Sequence, residues 1–157
     1  VKTTAHDRTG DELHLRDRAQ EIVEAIGGRS IKRSKICTQC HYTMSARDEG
    51  GRARAVMGVS CQRCHGPAVD WMEPHSDEAG TPDELASSCF QCHTVPKEDL
   101  VNKGGHNAGS DFELVAWSQG EVRHNFLPLP AEATNKERDE DYLKRLFVMG
   151  KLIDLVV

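Results

Sequence analysis

The stretch "GVSCQRCHGP" (58–67) decides what kind of protein this sequence folds into. It places two cysteines three positions apart and follows the second one directly with a histidine. The same Cys-x-x-Cys-His pattern occurs twice more, so that the chain has motif 1 (37–41), motif 2 (61–65) and motif 3 (89–93). All of its 6 cysteines fall in these motifs. Whatever the motifs bind must therefore organise most of the fold.

The composition indicates a thin protein core. The chain has 157 residues, of which 38% are hydrophobic, 29% charged and only 5% aromatic. Such side chains bury little apolar surface, so a chain of this size is either partly disordered or folded around something that is not protein. The length predicts a single domain over 1–157, in which 127–157 form a loop and a C-terminal helix that packs on the domain or on a partner.

Several chemistries use paired cysteines, and they differ in whether they need a histidine directly after each pair. Zinc could take Cys37, Cys40, Cys61 and Cys64, but the third pair would then lack a partner. A thioredoxin-like dithiol needs one pair in a strand–helix context, and disulfides leave the histidines idle. Histidine makes up 8 of 157 residues. Three such neighbours would arise by chance roughly once in ten thousand trials, and the pattern is that of haem attachment.

Covalent haem accounts for every residue of the motifs. Two thiols separated by two residues add to the vinyl groups along one porphyrin edge, and the next histidine binds the iron from below. The sequence therefore predicts three haem c groups, which would supply the missing core. The covalent attachments are Cys37, Cys40, Cys61, Cys64, Cys89 and Cys92, and the proximal iron ligands are His41, His65 and His93.

The remaining histidines are candidate distal ligands: His6, His14, His75, His106 and His124. Methionine can also bind haem iron, but it usually fills core space. Because the spare histidines outnumber the irons, we expect bis-histidine ligation. Two imidazoles keep the geometry of the iron nearly constant between its redox states, whereas catalysis at iron needs an open position. This pattern favours an electron carrier over an enzyme.

Helical patterns dominate, and strand signals are weak. The predicted helices are 11–26, 81–93, 110–120 and 137–156. Gly27 ends the first, Thr81 and Glu84 form a capping box for the second, and Ser110 or Asp111 caps the third. The apolar stripe of the first helix consists of Leu15, Ala19, Ile22 and Ile26. His14 lies beside this stripe and is expected to point inward. The predicted fold class is mainly α: a small multihaem protein with long loops organised around covalently bound haems, with little or no β-structure.

Charge and hydropathy argue against a nucleic-acid-binding protein and against a membrane-spanning one. The net charge is -5, and the absence of a basic domain argues against nucleic acid as a partner. No run of about 18 apolar residues exists, so no transmembrane segment is predicted. The chain begins at Val1, and we expect it to be a processed or partial form.

Three stretches resemble multihaem c-type cytochromes of the cytochrome c-554 type: "GVSCQRCHGPAVDWMEPH" (58–75), "CHTVPKEDLVNKGGH" (92–106) and "SDFELVAWSQGEVRHNF" (110–126). The resemblance runs from about Thr3 to Phe126. It implies a mostly helical fold with stacked haem pairs, and a periplasmic electron carrier related to the partner of hydroxylamine oxidoreductase. Members of that family commonly carry four haems. The first motif of the family is absent here, so the chain is a three-haem relative or a fragment of a four-haem protein.

The resemblance also implies ligand pairings. It assigns His6 to the motif 2 haem and His75 to the motif 3 haem. The motif 1 haem can be five-coordinate in the family, and His14 would close it here. His106 or His124 would match the ligand of the absent haem; their alternatives in this chain are the motif 1 haem, a haem of a neighbouring chain, or no haem.

The sequence thus predicts an electron-transfer protein with three haem c groups, which shuttles single electrons between redox partner proteins in the periplasm or another extracytoplasmic space. One alternative is a haem enzyme that uses an open motif 1 iron on a small nitrogen compound. Another is a subunit assembled into a larger haem wire or respiratory complex. Further expected haem contacts are Trp71 and Trp117 at porphyrin edges, and Arg63 and Arg123 at propionates.

Overall fold

Helices make up most of the chain wherever the structure describes it. The computed structural model describes residues 4–47, 50–67, 82–109, 111–119 and 137–156. In these ranges the α-helices are Ala5–Glu12 (α1), Asp17–Ala25 (α2), Lys35–His41 (α3), Cys61–His65 (α4), Pro82–His93 (α5), Glu98–Asn102 (α6), Leu114–Ser118 (α7) and Glu140–Asp154 (α8). The strands there are Thr43–Met44 (β1) and Ala55–Met57 (β2), and 3-10 turns occur at Leu13–Leu15 and Ile31–Arg33. The predicted mainly helical class is confirmed.

The chain divides into two compact units. The first unit comprises Val1–Gly66 and Val95–Ala108, and the second comprises Pro67–Thr94 and Gly109–Val157. Motifs 1 and 2 belong to the first unit, and motif 3 belongs to the second. The single domain expected over 1–157 stays a prediction.

The first predicted helix, 11–26, is broken in the structure. Helix α1 starts earlier, where the Thr4 hydroxyl accepts a hydrogen bond from the Asp7 amide at 3.3 Å. The chain then leaves helical geometry at Arg16 (φ -87°, ψ 123°), which begins α2. Tertiary packing overrides the helical periodicity here, because α1 lies against Gly58 while Val23 of α2 is fully buried in the core of the first unit. The predicted stop is correct, since Gly27 follows α2 with φ +81°.

That core is small and lies beside motif 1. Its buried members are Val23, Ile31, Cys37 and Tyr42, with Leu13, Ala19, Ile36 and Ala55 packed against them. Leu15 is exposed and contributes nothing to this core, contrary to its place in the predicted stripe. A motif cysteine is thus part of the interior of the first unit.

A short antiparallel hairpin joins motifs 1 and 2. Thr43 pairs with Met57, and Met44 pairs with Ala55. The buried hydroxyl of Thr43 donates to the Gly58 carbonyl at 2.8 Å and accepts from the Ser60 amide at 3.1 Å. The hairpin therefore fixes the end of motif 1 and the start of motif 2 relative to each other.

The second unit packs α5, α7 and α8 around a buried cluster: Ala86, Phe90, Phe112, Leu114, Leu146 and Ile153. Helix α8 begins where the Asp139 carboxylate accepts from the Tyr142 amide at 2.8 Å, which confirms the final predicted helix. The predicted cap of α7 was wrong. Glu113 caps it instead, accepting from the Val115 and Ala116 amides at 2.9 and 2.8 Å. Ser110 and residues 120–136, which include the end of the predicted helix and the loop expected after residue 127, lie outside the described residues.

No helix in the described ranges combines the length and the apolar character that crossing a membrane requires.

Candidate functional site

Each Cys-x-x-Cys-His motif lies on a helix and ends it. Motif 1 closes α3, motif 2 forms the whole of α4, and motif 3 closes α5. Residues three apart on a helix share a face, so both sulfurs of a motif lie on one side of its helix. After motif 2 the chain turns away at Gly66, whose φ of +78° few other residues adopt. Every motif thus presents two thiols and an imidazole from one helical turn, as covalent haem attachment requires.

The six motif cysteines differ in burial. None of them is in a disulfide bond, and they range from the buried Cys37 to the exposed Cys61 and Cys64. Among the described residues, no three His, Cys, Asp or Glu side chains converge on a point where a metal ion would fit. A structural zinc site needs four such ligands around one centre.

Tyr42 gives motif 1 an unusual environment. It follows the motif histidine directly and is only 1% exposed, in the same cluster as Cys37. In the described part of the chain its hydroxyl has no hydrogen-bond partner, although buried hydroxyls nearly always have one. A cofactor attached at Cys37, apolar in its body and carrying polar groups at its edge, would bring an acceptor to this hydroxyl. The residues of motif 1 fit haem in this respect.

Replacing Tyr42 with Phe is expected to remove an alkaline loss of stability. Burial raises the pKa of Tyr42 above its usual 10.0, and the Cys37 thiol adds a smaller effect in the chain without haem. The unfolded chain therefore releases the phenolic proton first, so this stability is complete below pH 10.0 and is lost as pH rises toward the folded pKa. Urea titrations above pH 10.0 measure the free energy of unfolding. That of the wild type should fall by up to about 1.4 kcal/mol per pH unit more than that of Tyr42→Phe. Parallel losses in both proteins would contradict this assignment.

Motifs 1 and 2 are in direct contact. The Arg63 guanidinium, between the two cysteines of motif 2, donates through Nε and Nη2 to the carbonyl oxygen of Gln39, between the two cysteines of motif 1. The Nε distance is 2.8 Å. Arg63 was expected to pair with a propionate; the structure gives it this backbone partner. Groups attached to the two helices would therefore lie close together.

Helix α1 brings His6 to the start of motif 2. The Val59 amide donates to the His6 carbonyl at 2.9 Å. Gly58 allows this approach, because a side chain there would run into the carbonyl oxygens of His6 and Asp7. The side chain of His6 itself is exposed. Its assignment to the motif 2 haem stays a prediction.

His106 lies next to the motif 1 histidine. The ring centroids of His41 and His106 are 6.0 Å apart, and the ring planes are inclined by 48°. The Nδ1 atom of His106 lies 2.8 Å from the carbonyl oxygen of Asn107. His14, expected to point inward, is exposed in the 3-10 turn after α1. The sequence left the role of His106 open because nothing in it showed that the loop after α6 returns to α3.

Aromatic rings surround the motif 3 histidine. Phe112 stacks on the His93 ring with centroids 4.5 Å apart and planes inclined by 13°. Trp117 meets the same ring edge-on at 4.9 Å and is 49% exposed. Stacking on the face of an imidazole does not involve the nitrogen atoms at its edge. In the structure Trp117 contacts the motif 3 histidine, and its expected place at a porphyrin edge stays a prediction.

Several predicted site residues lie outside the described ranges: His75, His124, Trp71 and Arg123. Sequence reasoning missed Tyr42 and Phe112. The position of Tyr42 directly after a motif was a usable signal, whereas no pattern pointed to Phe112.

Helices that end in Cys-x-x-Cys-His are typical of c-type cytochromes, which attach haem at this motif. The family model for cytochrome c554 and c-prime matches residues 2–66. The matched part contains motifs 1 and 2 and the hairpin between them, and it supports haem-based electron transfer for this chain. No curated protein and no solved structure matched the chain. The wider resemblance expected up to Phe126 stays a prediction.

Proposed function

We propose that this chain is a trihaem c-type cytochrome that passes single electrons between redox proteins. The contact of Arg63 with the Gln39 carbonyl carries the proposal, because it joins the helices that would hold two of the haems. Haems held that close exchange electrons rapidly. An enzyme that reacts at one isolated haem would not need a second haem beside it.

The cysteines hold the groups, and the histidines fix the irons. The three motif cysteine pairs form thioethers, and His41, His65 and His93 are the proximal ligands. Bound haem supplies an iron that gains and loses one electron. The spare histidines close the distal sides. Buried surroundings such as the Cys37 and Tyr42 cluster exclude water and so tune the potential.

The partners are redox proteins that meet the cytochrome through a small, transient surface. The chain carries a net charge of -5, and haem propionates would add to it. A basic patch on the partner would therefore speed association. Covalent haem and the resemblance to periplasmic carriers favour a periplasmic or other extracytoplasmic location.

Haem stoichiometry and electron exchange test this proposal together. The intact mass of the purified holoprotein should equal the chain plus three haems, and dithionite-reduced protein should deliver three electrons to a basic ferric cytochrome in excess. The double variant Cys61→Ala, Cys64→Ala should carry two haems and deliver two electrons, because one attachment site is lost. The double variant Ser87→Ala, Ser88→Ala is the matched control, and it should keep three haems and deliver three electrons.

Two results would overturn the proposal. Bound zinc in place of iron would remove the cofactor. Three haems that exchange no electrons with any redox protein would remove the carrier role.

A further inference from the structure

We propose that His41 and His106 are the two axial ligands of one iron, that of the haem carried by Cys37 and Cys40. The inference rests on the proposed function for the presence of that haem. It assigns the distal ligand to the loop after α6, and it closes the site to small molecules.

The distance between the two rings is the first argument. A metal-bound imidazole nitrogen lies about 2 Å from its metal. In a five-membered ring with bonds of about 1.33 Å, each atom lies about 1.1 Å from the centroid. Two imidazoles on opposite sides of one metal therefore have centroids about 6.2 Å apart. The rings of His41 and His106 are 6.0 Å apart.

The hydrogen bond of His106 is the second argument. A backbone carbonyl only accepts, so the 2.8 Å contact between Nδ1 and the Asn107 oxygen places the proton on Nδ1. The lone pair is then on Nε2. Histidines that bind metals in proteins usually make this bond with the other ring nitrogen, which fixes the tautomer and the ring orientation.

The loop that carries His106 is held on both sides. The His106 amide donates to the Leu100 carbonyl at 2.9 Å. Arg18, on α2, donates to the Gly105 carbonyl at 2.8 Å and to the Gly104 carbonyl at 3.4 Å. Gly105 has φ +64°, a value that costs a residue with a side chain about 1 kcal/mol. Arg18 is thus a positioning residue for His106.

This assignment departs from the pairing that the resemblance implies. There the motif 1 haem can be five-coordinate, and His14 was the residue expected to close it. In this chain His14 is exposed, whereas His106 is the ring beside His41. A six-coordinate motif 1 iron cannot take a small nitrogen compound as substrate, so the assignment also argues against the enzyme alternative.

Carbon monoxide binding to the dithionite-reduced holoprotein tests the inference. His106→Ala should bind one more equivalent of carbon monoxide per chain than wild type, because it opens one iron. It should also show a new high-spin ferric EPR signal equal to one haem. His14→Ala is the matched control and should behave like wild type. His106→Met should keep the iron closed and raise one midpoint potential, since methionine in place of histidine does so.

Arg18→Ala tests the positioning role. It should increase carbon monoxide uptake by up to one equivalent with the haem content unchanged, because the loop loses its clamp. A purely structural role for Arg18 would change the urea midpoint and leave carbon monoxide uptake as in wild type.

The outcomes separate this inference from the proposed function. A haem count other than three in wild type overturns the proposed function. Three haems with equal carbon monoxide uptake in wild type and His106→Ala overturn the axial pair alone, as does a gain of one equivalent in His14→Ala.

Discussion

Replacing Gly109 with Ala is expected to destabilise the holoprotein by more than about 3 kcal/mol. A Cβ atom on Gly109 would overlap the carbonyl oxygen of His93 and lie 2.7 Å from its carbonyl carbon and 3.4 Å from the Thr94 Cα. These are backbone atoms at the end of α5, so no side-chain rotation relieves the overlap. The positive φ of +73° adds a further penalty. Relief requires moving the segment that carries Cys92 and His93.

Gly51→Ala is the matched control for this effect. Gly51 has nearly the same backbone conformation, with φ +72°, but nothing lies within 4 Å of a Cβ placed there. Gly51→Ala should therefore lower the free energy of unfolding only by the backbone penalty of about 1 kcal/mol. Urea denaturation followed by circular dichroism measures both variants, and the reduced absorption spectrum reports the haem content of each. Equal losses in the two variants would show that the contact with His93 is not as close as the structure has it.

The sequence was sufficient to predict the features that depend on neighbouring residues. Helix α5 follows from the local pattern of 81–93, and α8 from the switch of 137–156 from charged to apolar residues. The stop at Gly27 follows from backbone freedom. The motifs specify the attachment chemistry because their spacing matches one helical turn, which is a local property.

Features that depend on distant contacts could not be read in the same way. The break at Arg16 arises because α1 packs against Gly58, far along the chain. The hairpin at 43–57 has strands too short for a visible alternation. Glu113 caps α7, whereas the local sequence made Ser110 and Asp111 equally suitable as caps. The approach of His106 to His41 depends on the clamp by Arg18, which no spacing in the sequence reveals.

Replacing Phe112 with Ala is expected to lower the free energy of unfolding by about 3 to 5 kcal/mol. Phe112 is 8% exposed and lies in the core of the second unit. Its ring stacks on His93 and meets two further rings edge-on. The centroid distances are 5.0 Å to Phe90 and 5.5 Å to Trp117. The substitution removes the ring from all three contacts and leaves a cavity beside the motif 3 histidine. Trp117→Ala is the control and should cost less, because Trp117 is about half exposed.

Phe112→Leu separates the packing role of this residue from its effect on the ligand. Leucine restores most of the apolar volume, so the loss of stability should stay below about 1.5 kcal/mol. It does not restore the flat surface that fixes the plane of the His93 ring. The ferric EPR spectrum of the holoprotein should therefore shift for one haem in both Phe112→Ala and Phe112→Leu, while only the first loses much stability. If Phe112→Leu left all haem signals as in wild type, Phe112 would be a core residue with no influence on the iron, because the imidazole would keep its orientation without the stacked ring.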